Sequence, residues 1–362
     1  MRKSFFVVAL LMSMVCIALC SCKAEHAPYE RVDMSGLENF QGDISHLCYA
    51  DEERAIFTSG TKKDVPEGPL VDTKCITIYD LENQKIRKTF NISEENYIYN
   101  VVPYMDGILY ASYDFNAKND LYEWKLSYRD ENDKKILDKG TCSNYDRIPQ
   151  IVLINETPVY IFENIVANNG SAAAYTCGVK IIRGMQVGLI METDEFELLQ
   201  TTLDSNGREY FFLAEKDGKL RCYIGDLESV DESFDIDGKL GSFSINNSYV
   251  AVSIEKAGST EENPEYHLLT FNLRTRKLKK YNTEEILYRL SGGPGENCMC
   301  VDWTFAPYKV SLENGKVEKM SLPKGIEEGT AVSFFPLNET SYLAEFMLEG
   351  NDVAYYRVAI DE

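Results

Sequence analysis

Cysteine, histidine and carboxylate side chains are the groups in this sequence that could do chemistry. The 362-residue chain has 10 cysteines, 3 histidines and 58 acidic residues. His26 precedes the first predicted strand, while His46 and His267 lie at predicted strand starts, where we expect structural roles. No Gly-x-Ser-x-Gly, His-Glu-x-x-His or Gly-x-x-x-x-Gly-Lys motif occurs. We therefore assign no catalytic residue, no metal site and no cofactor to this sequence.

Carboxylates are the abundant functional groups. Asp51, Asp106 and Asp204 recur at equivalent predicted hairpin turns, where aspartate is favoured because it tolerates tight-turn backbone angles. Residues 114–120 and 235–238 have some of the acidic spacing of calcium loops. Both lack the full series of alternating oxygen ligands with a closing glutamate. We interpret all of these segments as exposed turns.

The first 28 residues have the layout of an export signal. Arg2 and Lys3 are followed by an apolar segment at residues 5–19, and the chain turns polar at residues 23–28. A transmembrane helix needs roughly 20 apolar residues, so this segment is too short to span a bilayer. Its length and flanks are those of a secretory signal peptide that is removed.

Cys22 is the cysteine with the most specific chemistry. Leu19-Cys20-Ser21-Cys22 resembles the lipobox of bacterial lipoproteins, with Leu19 three residues before the modified cysteine and Ser21 directly before it. Cys20 is the competing site, but bulky Leu19 would then stand at the cleavage position, where a small residue is required. We therefore predict cleavage after Ser21.

The lipobox resemblance implies a diacylglyceryl thioether on Cys22 and membrane lipid as a partner. Two or more acyl chains are enough for stable anchoring. The predicted organisation is a signal peptide at 1–21, a lipidated tether at 22–28 and a β-propeller domain at 29–362. The expected location is the cell envelope, on a bacterial membrane and facing outside the cytoplasm.

The charge of the chain restricts its partners. The formal net charge is −21, and removal of residues 1–21 leaves 35 basic against 58 acidic residues, a net charge of −23. A body this acidic is repelled by nucleic acid, so we predict no nucleic-acid partner. An envelope protein or a glycan is the expected ligand.

Seven cysteines remain when Cys22 is lipidated, and an odd number cannot all pair within one chain. Most lie inside strand-like segments, where cysteine acts as a small apolar residue. Cys298 and Cys300 form the one close pair and would face the same side of a strand. No second Cys or His cluster completes a zinc site, so we predict packing roles.

A predicted hairpin recurs along the chain. An apolar strand leads into a short polar turn and then into a second, aromatic-rich strand. The seven turns are marked by Asp51, Asp106, Asn155, Asp204, Asn246, Pro294 and Asn338, at intervals of 42 to 55 residues. A second hairpin follows each of the first six, at 76–90, 122–137, 176–192, 220–234, 267–281 and 308–320. Four antiparallel strands every roughly 40–50 residues are typical of a β-propeller blade.

The end of the chain predicts how the ring closes. The seventh repeat has three strands, the last at 353–360, and no fourth. Residues 29–34, or the following 37–40, can supply it and leave no open edge inside the ring. We predict an all-β fold with a single β-propeller of seven four-stranded blades, six and eight being the alternatives. Two separate β-sandwiches would need a central linker, and none is visible.

With its lipobox and its repeat, the chain resembles bacterial β-propeller lipoproteins of the TolB-like and WD-repeat-like class. No Trp-Asp dipeptide recurs, since Asp302-Trp303 has the reverse order, and no site residue is carried over from the family. Polar, varied turns without acid–base groupings favour a non-catalytic binding or scaffolding module. The alternative is a carbohydrate-active hydrolase, which should gather two carboxylates within roughly 5–10 Å at the propeller axis. A binder could instead show an open funnel lined by tyrosine, asparagine and backbone groups.

Overall fold

The computed structural model is built from β-strands, with a short 3-10 helix at Tyr145–Arg147. It describes residues 29–34, 37, 44–65, 68–92, 97–166, 174–195, 197–199, 202–260, 263–293, 295–338, 340–348 and 352–360. The predicted signal peptide and tether, with Cys22 and His26, lie outside the described residues. Within the described residues, no helix has the length and apolar character needed to cross a membrane.

The strands form seven antiparallel sheets, which are the blades. Blade 1 contains β2 (Ile44–Ala50), β3 (Arg54–Val65), β4 (Gly68–Asp80) and β5 (Lys85–Asn91). Blade 2 contains β6 (Tyr97–Tyr104), β7 (Gly107–Asn116), β8 (Leu121–Arg129) and β9 (Lys134–Cys142). Blade 3 contains β10 (Gln150–Ile154), β11 (Thr157–Val166), β12 (Ala174–Arg183) and β13 (Gln186–Thr193).

The second half of the ring repeats this order. Blade 4 contains β14 (Glu197–Leu198), β15 (Asp204–Ser205), β16 (Tyr210–Lys216), β17 (Lys219–Gly225) and β18 (Val230–Ile236). Blade 5 contains β19 (Gly238–Ile245), β20 (Tyr249–Lys256), β21 (Tyr266–Asn272) and β22 (Lys277–Thr283). Blade 6 contains β23 (Tyr288–Gly292), β24 (Asn297–Val301), β25 (Pro307–Ser311) and β26 (Val317–Lys319). Blade 7 contains β27 (Ala331–Pro336), β28 (Ser341–Met347), β29 (Val353–Ala359) and β1 (Tyr29–Val32).

Polar side chains fix the turns of the first hairpins. The Asp51 carboxylate accepts the backbone N–H groups of Glu53 and Arg54 at 3.0 and 2.9 Å. Asn206 and Asn246 make the same pair of bonds in blades 4 and 5. These side chains satisfy backbone donors where the chain reverses, and the predicted turn at Asp51 is confirmed.

The N-terminal strand closes the last blade. β1 runs antiparallel to β29, from the pair Tyr29 and Val358 to the pair Val32 and Tyr355. Of the two predicted sources of the closing strand, residues 29–34 are therefore the one used. Leu37 is instead buried between blades 7 and 1.

Successive inner strands contact one another around the ring, and β27 contacts β2 to complete it. The apolar core of the described residues is divided into seven clusters, each between two adjacent blades. The prediction of one seven-bladed propeller is confirmed. At one end of the ring the inner strand of each blade begins and the second strand turns into the third. We call this end the upper end.

Blade 4 departs from the predicted hairpin. Asp204, assigned to the turn, lies in strand β15, and the inner strand consists of the two short pieces β14 and β15, both paired with β16. The Thr202 hydroxyl oxygen accepts the N–H of Leu213 at 2.9 Å and donates to the carbonyl of Leu199 at 3.0 Å. The Thr202 side chain bridges the two pieces beside the backbone bond from the Leu199 N–H to the Leu213 carbonyl, and the turn begins at Asn206.

Candidate functional site

None of the seven cysteines among the described residues forms a disulfide, and six of them are buried. Burial raises the pKa of Cys48 to about 11 and that of Cys142 to about 12, so both thiols stay protonated at neutral pH. Cys298 and Cys300 share the apolar cluster between blades 5 and 6. The predicted packing role is confirmed for these residues.

The two described histidines lie near strand starts, as predicted. His46 is the third residue of β2, and His267 is the second residue of β21 and buried. The surrounding protein removes water from both imidazoles and lowers the pKa of each. Both side chains are therefore neutral at neutral pH.

Asp204 connects blades 4 and 5. Its carboxylate accepts bonds from the Ser205 and Ile245 backbone N–H groups at 2.8 and 3.1 Å and from the Ser244 hydroxyl at 3.3 Å. Burial raises the pKa of Asp204 to about 6 against these bonds. Because its carboxylate accepts three hydrogen bonds from the protein, Asp204 has a structural role.

Glu345 is the second carboxylate with a strongly perturbed environment. It lies on β28, is 7% exposed, and burial raises its pKa to about 7 while the positive charge of Arg289 opposes the shift. The Arg289 guanidinium donates to the Val332 carbonyl at 2.9 Å and to the Ser333 hydroxyl at 3.1 Å. Sequence reasoning missed Glu345 because its environment is made by two neighbouring blades.

These two carboxylates do not form an acid–base pair. Burial is the largest cause of each shift, and the charge of the other carboxylate is not among the remaining causes. In blade 6 a neighbouring carboxylate adds to the effect of burial, since the charge of Glu313 further raises the pKa of Glu296 and that of Asp302 further raises the pKa of Glu285. Glu296 and Glu313 are exposed at the two turns of the blade. Glu285 precedes β23 and Asp302 follows β24, so both pairs lie in the loops and turns of blade 6.

The prediction that the segments with calcium-like spacing are exposed turns is only partly right, because residues 114–116 end β7 before a turn at 117–120, and residues 235–236 end β18 directly before β19 begins at Gly238. The Asn116 side chain donates to Glu123 at 2.6 Å and accepts the N–H of Lys118 at 3.1 Å, while Asp235 pairs with Arg221 at 3.2 Å. Within the described ranges, no three His, Cys, Asp or Glu side chains are grouped so that they could hold a metal ion.

The feature best suited to ligand contact is a group of aromatic rings at the upper end of blade 2. We call it the aromatic face: Tyr97, Tyr99, Tyr113, Phe115, Tyr122 and Tyr145. β6, β7 and β8 contribute the first five rings, and the 3-10 helix contributes Tyr145. Phe115 is 46% exposed and Tyr145 38%, while Tyr97, Tyr99 and Tyr122 are half-buried.

The rings of the aromatic face contact one another at varied angles. Tyr97 stacks on Tyr113 with a centroid distance of 5.3 Å and an interplanar angle of 28°. The other contacts are steeper, at 78° for Tyr99 with Tyr113, 58° for Tyr113 with Tyr122 and 52° for Phe115 with Tyr122. Tyr145 meets Tyr122 at 67°. The face is therefore an angular array rather than a flat platform.

A carboxylate directly follows one ring of this array in the chain. Asp146, next to Tyr145 in the 3-10 helix, raises the pKa of both Tyr99 and Tyr113, beyond the larger effect of their burial. Burial raises the pKa of Asp146 itself, while a hydrogen bond with Tyr145 and the charge of Arg147 oppose that shift.

A local signal for the aromatic face is present in the sequence. Tyr97-Ile98-Tyr99 and Tyr113-Asp114-Phe115 each place two rings at alternate positions, and alternate residues of a strand share one face. The repeat predicts strands at both segments. The antiparallel pairing of these strands brings together the start of β6, the end of β7 and the start of β8. The sequence alone does not show this.

No protein-family model and no curated protein matches this chain. Solved structures do share its architecture. Kluyveromyces lactis Hsv2 superposes with a TM-score of 0.51 at 8% identity, over 88% of this chain and 98% of that one. The Neurospora crassa Pan2 WD40 domain gives 0.51 at 8% identity, over 92% and 96%. The polysaccharide lyase Uly1 gives 0.52 at 8% identity, over 86% and 90%. At this identity the likeness shows a shared β-propeller fold.

Proposed function

We propose that this protein is a bacterial extracytoplasmic lipoprotein, anchored through Cys22, whose propeller is a non-catalytic binding or scaffolding module. The anchor is supported by the charged start, the short apolar segment and the lipobox at 19–22. The strongly negative charge supports a ligand other than nucleic acid.

The aromatic face is the observation that carries the binding function. Exposed tyrosine and phenylalanine rings offer large contact area at low entropic cost, and grouped exposed apolar side chains mark interaction sites. Loops from several blades also lie at the upper end of the ring, and substitutions in such loops leave the sheets intact. The carboxylates Asp204 and Glu345, in contrast, lie on separate blades.

The anchor is tested by metabolic labelling with radioactive palmitate in a bacterial host. We expect label and membrane association in the wild type and in Cys20→Ser, and loss of both in Cys22→Ser. Loss in Cys20→Ser instead would move the modified residue to Cys20. An unlabelled wild type would remove the anchor from the proposal.

The binding function is tested on a glycan array and by pull-down from purified envelopes, with the full chain in a polyoxyethylene detergent that carries no sugar. We expect a specific ligand that is lost in the Phe115→Ala, Tyr145→Ala double variant. Trp303→Ala, which removes a ring that is 72% exposed on blade 6, should retain it. Turnover of a glycan that depends on Glu345 would establish the hydrolase alternative, and a ligand indifferent to the double variant would lie elsewhere on the ring.

A further inference from the structure

The shape of the aromatic face restricts the ligand chemistry. Polysaccharide platforms need rings whose faces lie in one plane, so that successive sugar rings stack on them. Here only Tyr97 and Tyr113 are near parallel, and the remaining contacts have interplanar angles of 52° to 78°. Such an angular array does not stack on a flat ligand, whereas the accessible rings, above all Phe115 and Tyr145, can each offer a π-face to a compact cation.

The charge of the site points the same way. The Asp146 carboxylate acts electrostatically on Tyr99 and Tyr113. The positive groups nearby have other partners: Arg147, whose charge also acts on Asp146, lies 2.6 Å from Glu163, and Lys125 lies 3.8 Å from Asp114. The chain as a whole carries a charge of −21, which attracts cationic ligands over long range.

We propose that the aromatic face, together with Asp146, binds a quaternary ammonium group. The rings interact with the cation through their π-faces, and the carboxylate provides the opposite charge. A methylated ammonium is favoured over a primary one because it is less strongly hydrated and loses less on contact with rings. This inference rests on the proposed binding function and specifies its ligand class.

The probes are tetramethylammonium and choline, compared with 3,3-dimethylbutan-1-ol, a neutral molecule with the shape of choline. Binding to the full chain in polyoxyethylene detergent is followed by saturation-transfer difference NMR and by calorimetry. We expect the neutral alcohol to bind about tenfold more weakly than choline, in the range of a cation–π contact. N-acetyl-lysine methylamide should also bind more weakly than choline. Phosphocholine tests whether a lipid headgroup or free choline is the better source of the cation.

Variants at exposed positions separate the contributions. Asp146→Asn and Tyr145→Ala should each weaken choline binding about tenfold, whereas Tyr145→Phe keeps the ring and should change it less than about twofold. Glu131→Gln removes a paired carboxylate at the other end of the same blade, and Trp303→Ala removes a distant ring. Both should bind choline as the wild type does.

Equal binding of choline and the neutral alcohol would overturn the proposal, because the face would then be selecting shape alone. Absence of choline binding would overturn it as well. If a glycan or protein ligand is still lost in the Phe115→Ala, Tyr145→Ala variant, the proposed binding function stands with a different ligand class. If no aromatic-dependent ligand is found at all, both proposals fail.

Discussion

Glu163 has no solvent exposure, and its charge is balanced at the junction of blades 2 and 3. Its carboxylate accepts the N–H and hydroxyl of Ser143 at 2.9 and 2.8 Å and pairs with Arg147 at 2.6 Å. We expect Arg147→Met to destabilise the fold by about 3–5 kcal/mol, because the carboxylate would be left buried without its cation. Urea denaturation measures the change.

Lys216 provides the matched control, since it pairs with Glu195 at 2.9 Å on the surface, where Glu195 is 67% exposed. Lys216→Met should cost at most about 1 kcal/mol. Similar losses of unfolding free energy in the two variants would show that burial does not increase the contribution of the Arg147–Glu163 pair to stability.

Glu345 predicts a pH dependence of stability. Its pKa rises from 4.5 to about 7 on folding, so the folded state holds the proton more tightly and stability falls as pH increases from about 4.5 to 7. Glu345→Gln should match the wild type at pH 4 and exceed it by about 3 kcal/mol at pH 8. Denaturation at both values tests this, with exposed Glu327→Gln as the control; no gain at pH 8 would contradict it.

The sequence predicted the roles of those residues that act on neighbours close in the chain. Asp51 caps its own hairpin with bonds two and three residues away, and turn chemistry at that range is readable from composition. The environment of Glu345 depends on Arg289, on another blade. Such pairings arise from tertiary packing, so the sequence pattern contains no sign of them.

At the scale of elements, the hairpin of blade 6 uses its glycines in two ways. The repeat predicts a turn around Pro294, but turn geometry does not explain two of the neighbouring glycines. A Cβ on Gly292 would lie 1.8 Å from the Ile245 carbonyl oxygen, and one on Gly293 would lie 1.7 Å from the Tyr342 hydroxyl. These positions are glycine because neighbouring blades approach closely, whereas Gly295 has a φ of 62° and open space around it.

We therefore expect Gly292→Ala to destabilise the fold by about 1–3 kcal/mol, because the neighbouring backbone must move. Gly295→Asn should be nearly neutral, since asparagine tolerates the left-handed region. Thermal unfolding of the two variants compares them. A tolerated alanine at Gly292 would mean that blades 5 and 6 can separate there without loss.

Strand positions followed from the repeat wherever the inner strand was continuous. Blade 4 was the exception, because its inner strand is divided into two pieces that the Thr202 side chain bridges. The aromatic face shows a related limit. Alternating rings are visible in each segment, but their meeting at one end of blade 2 depends on strand pairing.

At the scale of the whole molecule, blade number followed from the spacing of turns, and ring closure from the missing seventh outer strand. Glu30 lies opposite Arg357 across the β1–β29 pair. Facing residues of antiparallel strands have Cα atoms about 4.5–5.5 Å apart, within disulfide range. Glu30→Cys with Arg357→Cys should stabilise the oxidised protein by roughly 2–5 kcal/mol.

A shift in the urea midpoint that disappears on reduction checks this cross-link, and the single Glu30→Cys variant serves as the control. If the oxidised double variant has no added stability, the separation of β1 from β29 is not part of the unfolding equilibrium.

The pairing of β1 with β29 also determines when the fold can be completed. Blades 1 to 6 each consist of contiguous sequence, so each sheet can form as soon as its own segment has reached the compartment in which the protein folds. Residues 29–32 are made early and have no partner until residues 353–359 follow. Throughout that interval the first strand is an unprotected edge. A chain cut or stalled before Val353 keeps that edge exposed, which marks truncated products for proteolysis or aggregation while complete ones escape both.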